Sequence, residues 1–162
     1  MNGAHLHLIL THVPVLGVGF GTILLALGLF RKNRVMQQTA LGVLVLAGLA
    51  AGAAYWTGEG AEEAIESQLG AGKTYLELHE EAGLFGLAAA GLAGLLALIV
   101  LARGRNARPL SRALVALNLV FALLASGTLA WVANLGGQIG HPEIRNGQIT
   151  PLGEREETEE SR

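Results

Sequence analysis

Residues 5–30 read HLHLILTHVPVLGVGFGTILLALGLF. The stretch opens with His5, His7 and His12 and continues as an apolar run that can cross about 30 Å of hydrocarbon as one helix. A second run begins at His79 and stays apolar to Ala102. Ionisable side chains beside hydrocarbon are costly unless they have partners. Because two membrane helices both begin with histidine, the sequence predicts that these imidazoles have a common function.

The composition places the chain in the membrane class. Of its 162 residues, 51% are hydrophobic and 23 are glycine, and the mean hydropathy is +0.46. This is more apolar than an ordinary soluble domain, and small residues at this density let membrane helices approach closely. The chain contains no cysteine. Disulfides, iron–sulfur clusters, thiolate metal ligands and covalently attached haem are therefore excluded.

Four apolar runs of about 20 residues predict an all-α, four-helix transmembrane bundle. We place the helices within a domain of residues 1–152, at about 8–30, 37–57, 80–102 and 112–135. The apolar spacing at 61–69 predicts a short amphipathic helix, which either covers the mouth of the bundle or is simply solvated. The Glu-rich tail at 153–162 is predicted to be disordered.

The distribution of charge predicts which helix ends share a side of the membrane. The connections at 31–34 and 103–112 contain seven of the 11 basic residues and none of the 13 glutamates. Short loops rich in Lys and Arg remain cytoplasmic, so both termini and all five histidines are predicted on the extracytoplasmic side of a bacterial inner membrane. Trp56 and Trp131 fit an aromatic belt at that interface.

The two halves of the chain read alike, which predicts a repeat of two helical hairpins. Each half has a helix with histidines, a basic loop and an Ala-, Gly- and Leu-rich helix. The second helix ends AYWTGEG at 54–60, and the fourth ends AWVANLGG at 130–137. An axis along the membrane normal would set the first helix opposite the third, with His12 facing His79.

Helix geometry separates the histidines of the first helix. His5 and His12 are two turns apart and share one stripe, whereas His7 lies on another face. Gly17 follows His12, and Gly83 lies near the start of the third helix. These glycines suit either close helix packing or a flat macrocycle that needs surface without side chains.

Two imidazoles on facing helices predict a six-coordinate haem b near the outer surface. The expected axial ligands are His12 and His79, with His7 and His141 next in line. The alternative is a non-haem Zn, Cu or Fe ion. Its candidate ligands are His5, His7, His12, His79, His141 and Glu80, and the spacing alone is compatible with either cofactor.

The same residues resemble a family of small bacterial four-helix membrane proteins of unknown function, over nearly the whole chain except the acidic tail. The first helix of that family carries H-x-x-x-x-H-x-P, which HLILTHVP at 7–14 matches. Further matching segments are Gly58–Glu63, His79-Glu80 and GGQIGHPEI at 136–144. Some relatives are fused to cytochrome c-like domains, so the resemblance implies electron transfer at the outer face. It pairs His7 with His12, whereas the stripe pairs His5 with His12.

We therefore expect a membrane-embedded b-type cytochrome that relays electrons between a quinol and a periplasmic carrier. The alternatives are a metal-binding membrane protein and a structural subunit of a larger complex or homo-oligomer in the lipid bilayer. The sequence contains no nucleophile–base pattern and no phosphate-binding loop, so an electron-transfer protein is expected rather than a stand-alone enzyme, and no nucleic-acid partner is expected. Polar residues within the helices are predicted to bond to one another, namely Thr22, Asn118, Ser126 and Thr128. Asn118 could instead line a quinone pocket.

Overall fold

The computed structural model describes residues 3–65, 73–104 and 110–145. These residues form four α-helices and a short 3-10 turn: α1 Gly3–Phe30, α2 Arg34–Ile65, α3 Lys73–Arg103, α4 Arg112–Gly140 and the turn Pro142–Ile144. The α-helices are 28 to 32 residues long, and each is long and apolar enough to cross a membrane. The prediction of an all-α, four-helix chain is confirmed, and its construction is that of a multi-pass membrane protein.

The four helices pack as a square in which each contacts its neighbours along the chain and α1 also contacts α4. α1 therefore lies diagonally opposite α3, as predicted. The interior is filled mainly by small side chains, including Ala40, Ala47, Ala90, Ala93, Ala97 and Ala122. Large apolar side chains point outward, including Leu16, Phe20, Leu49, Leu95 and Leu124. This distribution suits a bundle in lipid, because small residues bring the backbones together while hydrocarbon solvates the large ones.

The two basic connections meet at one end of the square, which we call the basic end (the turn at 31–33 with residues 104 and 110–111). The turn between α1 and α2 places Lys32 in the left-handed region, with φ of 52°. Asn33 Oδ1 then accepts the Met36 N–H at 3.0 Å, which caps the start of α2. Arg34 Nη2 donates to the Gly104 carbonyl at 2.9 Å. The first basic turn is thereby fastened to the end of α3.

At the opposite end, the helices extend further than predicted. We call this the histidine end: the starts of α1 and α3 with the ends of α2 and α4. α1 begins at Gly3 and α3 at Lys73, so His7 and His79 lie inside helices rather than in front of them. Hydropathy identifies only the apolar part of a helix. Good helix formers such as Ala, Leu and Glu continue the helix beyond it.

The separate amphipathic helix predicted at 61–69 is not a separate element where the structure describes it. Residues 61–65 are the continuous end of α2, whereas 66–69 lie outside the described residues, as does the predicted disordered tail. The start of α1 packs against this extension so closely that a Cβ on Gly3 would lie 2.6 Å from the Gly60 carbonyl oxygen. Ala61 is buried there as well. Packing on α1 therefore keeps the end of α2 helical.

Three of the four polar residues predicted within the helices join pairs of helices. Thr22 Oγ1 lies 3.1 Å from Ser126 Oγ, which links α1 to α4 as predicted. Asn118 Nδ2 donates to the Ala93 carbonyl at 2.8 Å and links α4 to α3. Thr128 instead bonds to a carbonyl of its own helix. Of the residues that the structure describes, Asn118 alone has a buried side-chain atom, Oδ1, without a hydrogen-bond partner.

Candidate functional site

Two imidazoles meet at the histidine end of the bundle, across the diagonal of the square. The rings of His7 on α1 and His79 on α3 have centroids 6.4 Å apart, and their planes are nearly perpendicular, at 88°. Both side chains are half-buried. The structure thus brings together one histidine from each half of the chain.

The ring of His7 is held by the end of α2. Its Nδ1 lies 2.9 Å from the Ala54 carbonyl oxygen and 3.3 Å from Thr57 Oγ1. A carbonyl oxygen can only accept a hydrogen bond, so Nδ1 carries the ring proton. In the neutral ring, Nε2 then keeps its lone pair and is the nitrogen that can bind a metal.

The ring of His79 is held in the same way by the end of α4. Its Nδ1 donates to the Val132 carbonyl at 3.0 Å, so the same tautomer follows. Among the described residues, all hydrogen bonds of the two rings run through Nδ1. Metal-bound histidines commonly use this arrangement, in which one nitrogen donates to a carbonyl and the other binds the metal.

A glycine lies beside each ring, one helical turn after the carbonyl that holds it. Gly58 follows Ala54 by four residues, and a Cβ there would lie 3.6 Å from His7 Cε1. Gly136 follows Val132 by four residues, and a Cβ there would lie 3.0 Å from the same atom of His79. The absence of a side chain at these two positions leaves room for both imidazoles.

These supporting residues were missed by sequence reasoning, although the signal was present. The glycines at the ends of the second and fourth helices supported the repeat, but they were not assigned to the histidines. The repeated feature is a glycine four residues after the residue whose carbonyl accepts the bond. Backbone carbonyls leave no mark in residue type, so Ala54 and Val132 could not have been selected individually.

His12 does not take part in this ring contact. Its side chain is exposed, and its Nδ1 bonds to the Leu8 carbonyl of its own helix at 2.6 Å. His5 is also exposed, so the two histidines share a stripe as predicted, but that stripe faces outward. The contact with His79 is made by His7 instead of the predicted His12. His7 and His12 are five residues apart, so their side chains lie on different faces of α1. A ligand role for His12 stays a prediction.

The glycines predicted beside the cofactor lie in helix contacts with α2. A Cβ on Gly17 would lie 3.0 Å from the Ala47 Cβ, and one on Gly83 would lie 3.9 Å from the Tyr55 ring. Close helix packing accounts for Gly17, whereas Gly83 makes only an ordinary van der Waals contact. Nothing in these contacts bears on a macrocycle, so that role also stays a prediction.

The remaining predicted ligands lie at the exposed edge of the histidine end. His141 follows α4, and its Nδ1 lies 2.8 Å from Glu143 Oε1. The backbone N–H of Glu143 and then the bond from His141 hold the pKa of the Glu143 carboxyl below its ordinary value of 4.5. Glu80 is exposed on α3. Within 3–65, 73–104 and 110–145, no group of three or more His and Glu side chains is placed to share a metal ion.

No protein-family model matches the chain, no curated protein matches its sequence, and no solved structure matches it. The resemblance to small bacterial four-helix membrane proteins therefore stays a prediction, and the functional argument depends on the geometry of the histidines.

Proposed function

We propose that this protein is a membrane-embedded b-type cytochrome in which His7 and His79 are the axial ligands of one haem. The observation that carries the proposal is the pair of imidazoles from opposite helices, each fixed through Nδ1 with Nε2 left to bind iron. This pair takes the place of the His12–His79 pair that the repeat of two hairpins predicted.

The separation of the rings fits two ligands of one metal ion. Imidazoles bound through Nε2 on opposite sides of a metal would have ring centroids about 6.2 Å apart, because the metal–nitrogen bond is about 2.0 Å long and the nitrogen lies about 1.1 Å from its ring centre. The His7 and His79 centroids are 6.4 Å apart. Gly136 adds a second point of agreement, since a Cβ there would occupy space that the His79 ring needs.

The number of protein ligands favours haem over a non-haem ion. A structural or catalytic zinc site uses three or four protein side chains, whereas haem iron takes four nitrogens from its macrocycle and needs one or two from the protein. The described part of the chain supplies two imidazoles at this place and no cluster of three ligands. Two ligands are enough for haem and too few for zinc.

In the proposed function, the protein positions the ligands and the haem supplies reversible one-electron transfer. The carbonyls of Ala54 and Val132 hold the ring protons on Nδ1 and raise the basicity of Nε2. Because α1 and α3 are each anchored to the following helix, the two rings are held in place before the cofactor binds. The proposed redox partners are a quinol in the membrane and a soluble carrier at the histidine end.

The orientation in the membrane is part of the proposal. The positive-inside rule puts the basic end in the cytoplasm of a bacterium and the histidine end outside. We also propose that the two hairpins are a repeat, since each histidine bonds to a carbonyl four residues before a glycine. In each half, the residue that accepts the bond belongs to the second helix of the hairpin, α2 or α4.

Single-cysteine labelling tests the orientation, because the chain has no native cysteine. Lys32→Cys at the basic end and Glu143→Cys at the histidine end are both exposed positions. In intact spheroplasts we expect a membrane-impermeant maleimide to label Glu143→Cys within minutes, and Lys32→Cys only after permeabilisation. The reverse pattern would place the site in the cytoplasm.

Absorption spectroscopy of the purified protein tests the function. After expression with ample haem, we expect a Soret band, a sharp reduced α-band and about one haem per chain, as six-coordinate low-spin iron. His7→Ala and His79→Ala should each abolish the low-spin spectrum, whereas the exposed His12→Ala should keep it. Protein that is folded yet free of haem, or the loss of haem with His12→Ala alone, would refute the proposed site. Stoichiometric Zn or Cu without haem would favour the metal-binding alternative.

A further inference from the structure

After α4, the chain folds back over the histidine end and places an arginine there. The His141 N–H donates to the Gly137 carbonyl, and the turn at 142–144 reverses the chain. Arg145 Nε then donates to the Gln138 carbonyl at 2.8 Å and its Nη2 to the Ile139 carbonyl at 3.1 Å. The guanidinium therefore closes the last turn of α4.

The same guanidinium lies over a buried ring on α3. Arg145 Cζ is 4.7 Å from the centroid of the Tyr75 ring, and Tyr75 is only 2% exposed. Tyr75 precedes His79 by four residues and so lies on the same face of α3, about one turn nearer the start of the helix. On α4, Gln138 is two residues beyond Gly136, the glycine beside the His79 ring. Both contacts put the cation beyond the His79 ring, toward the tip of the histidine end.

Part of this cation is left to bind an anion. A guanidinium has five N–H donors, and the structure uses two of them on carbonyls. Among the described residues, Arg145 forms no ion pair. The nearest acidic neighbour in sequence, Glu143, is hydrogen-bonded to His141 at 2.8 Å, and Arg145 acts on it through its charge without direct contact. A half-buried arginine with unused donors is well suited to bind a carboxylate, which its planar fork can hold through two hydrogen bonds.

We propose that Arg145 binds a propionate carboxylate of the haem held by His7 and His79. This inference rests on the proposed function and adds a third anchor, of a different kind, to the same site. The macrocycle carries two carboxylates, which are most stable where they reach the polar end of the bundle. Arg145 offers them a fixed positive charge there, already oriented by two backbone carbonyls and the Tyr75 ring.

Reconstitution with two forms of haem tests this role in the full chain. The probes are iron protoporphyrin IX and its dimethyl ester, in which both propionates are neutral and cannot form an ion pair. The proteins are the wild type, Arg145→Gln, Arg145→Lys and the control Arg112→Gln, which removes an exposed arginine at the basic end. The measurement is the rate at which each haem leaves the protein for an excess of apomyoglobin in detergent.

We expect Arg145→Gln to release the free-acid haem at least tenfold faster than the wild type, with Arg145→Lys in between and Arg112→Gln unchanged. The dimethyl ester should leave all four proteins at the same rate. If Arg145→Gln speeds the release of both forms equally, or of neither, the arginine only caps α4 and this inference fails while the proposed function stands. If the wild type binds neither form, the proposed function and this inference both fail.

Discussion

The two histidines are anchored by the same backbone arrangement but by different surroundings. His7 has room beside Gly58 and a second hydrogen-bond partner in Thr57, whereas His79 lies closer to Gly136 and has Leu135 at the position equivalent to Thr57. The first anchor is therefore looser and more polar, and the second is tighter and more apolar. The same backbone arrangement thus holds two similar imidazoles, and the side chains around them make their surroundings unequal.

This inequality identifies which half of the site should tolerate change. Where space limits the ring, an added methyl group should displace it, because packed interiors give way only by a few tenths of an ångström before contacts are lost. Where a hydroxyl supports the ring, its removal should cost a single hydrogen bond. Three pairs of substitutions test these expectations, in order of decreasing effect.

Gly136→Ala should weaken binding of the proposed haem far more than Gly58→Ala. The new methyl would lie 3.0 Å from His79 Cε1 and 3.2 Å from Nδ1, so the ring must shift away from the Val132 carbonyl. We expect haem affinity to fall by about 10- to 100-fold, the usual loss when the support of a metal ligand is disturbed. Gly58→Ala makes an ordinary contact at 3.6 Å and should change affinity by less than about twofold. Haem titration of the two purified variants measures this difference, and equal losses would contradict it.

Thr57→Val should weaken only the first anchor. The substitution keeps the shape of the side chain and removes the hydroxyl that lies 3.3 Å from His7 Nδ1, while the bond to Ala54 remains. One hydrogen bond contributes about 0.5–1.5 kcal/mol, so haem affinity should fall by roughly two- to tenfold. Thr57→Ser keeps the hydroxyl and is the matched control. A loss of the same size in both variants would show that the side chain acts by packing rather than by hydrogen bonding.

Gly17→Ala and Gly83→Ala should change stability in opposite directions without changing haem affinity. At Gly17 the added methyl would lie 3.0 Å from the Ala47 Cβ, which cannot rotate away, so overpacking should cost about 1 kcal/mol or more. At Gly83 the nearest atoms are 3.9 Å away, and the helix should gain up to about 0.5–1 kcal/mol. Thermal unfolding in detergent measures both effects. Weaker haem binding with unchanged stability would instead support the predicted place of these glycines beside a macrocycle.

Much of the fold could be predicted because it depends on properties that residue types carry locally. The apolar runs gave the four helices, and the glycines and alanines indicated their close packing. The helix ends were placed too far inside, since hydropathy does not report where α2 continues to Ile65 or α3 begins at Lys73. That extension depends on contacts such as Gly3 with Gly60, which join residues far apart in the chain.

The sequence predicted that histidines of α1 and α3 face each other, but it favoured His12, whereas the ring contact with His79 is made by His7. The choice between His7 and His12 depends on how α1 is rotated about its own axis in the bundle. His5 and His12 lie on one stripe of α1 whichever way that stripe faces, and in the structure it faces outward. The apolar pattern of α1 could not decide this, because a membrane helix is apolar on its lipid side as well as its packed side.

By itself, the sequence determined the class of the protein: four apolar helices, basic connections at one end and histidines at the other. These features follow from hydropathy, length and charge, which each segment possesses before it meets any other. Only the tertiary structure decided that His7 meets His79, that two backbone carbonyls fix the tautomer of both rings, and that Gly136 leaves less room than Gly58. Those facts depend on helix rotation and on atoms within about 4 Å of one another, and such distances exist only after the helices have packed.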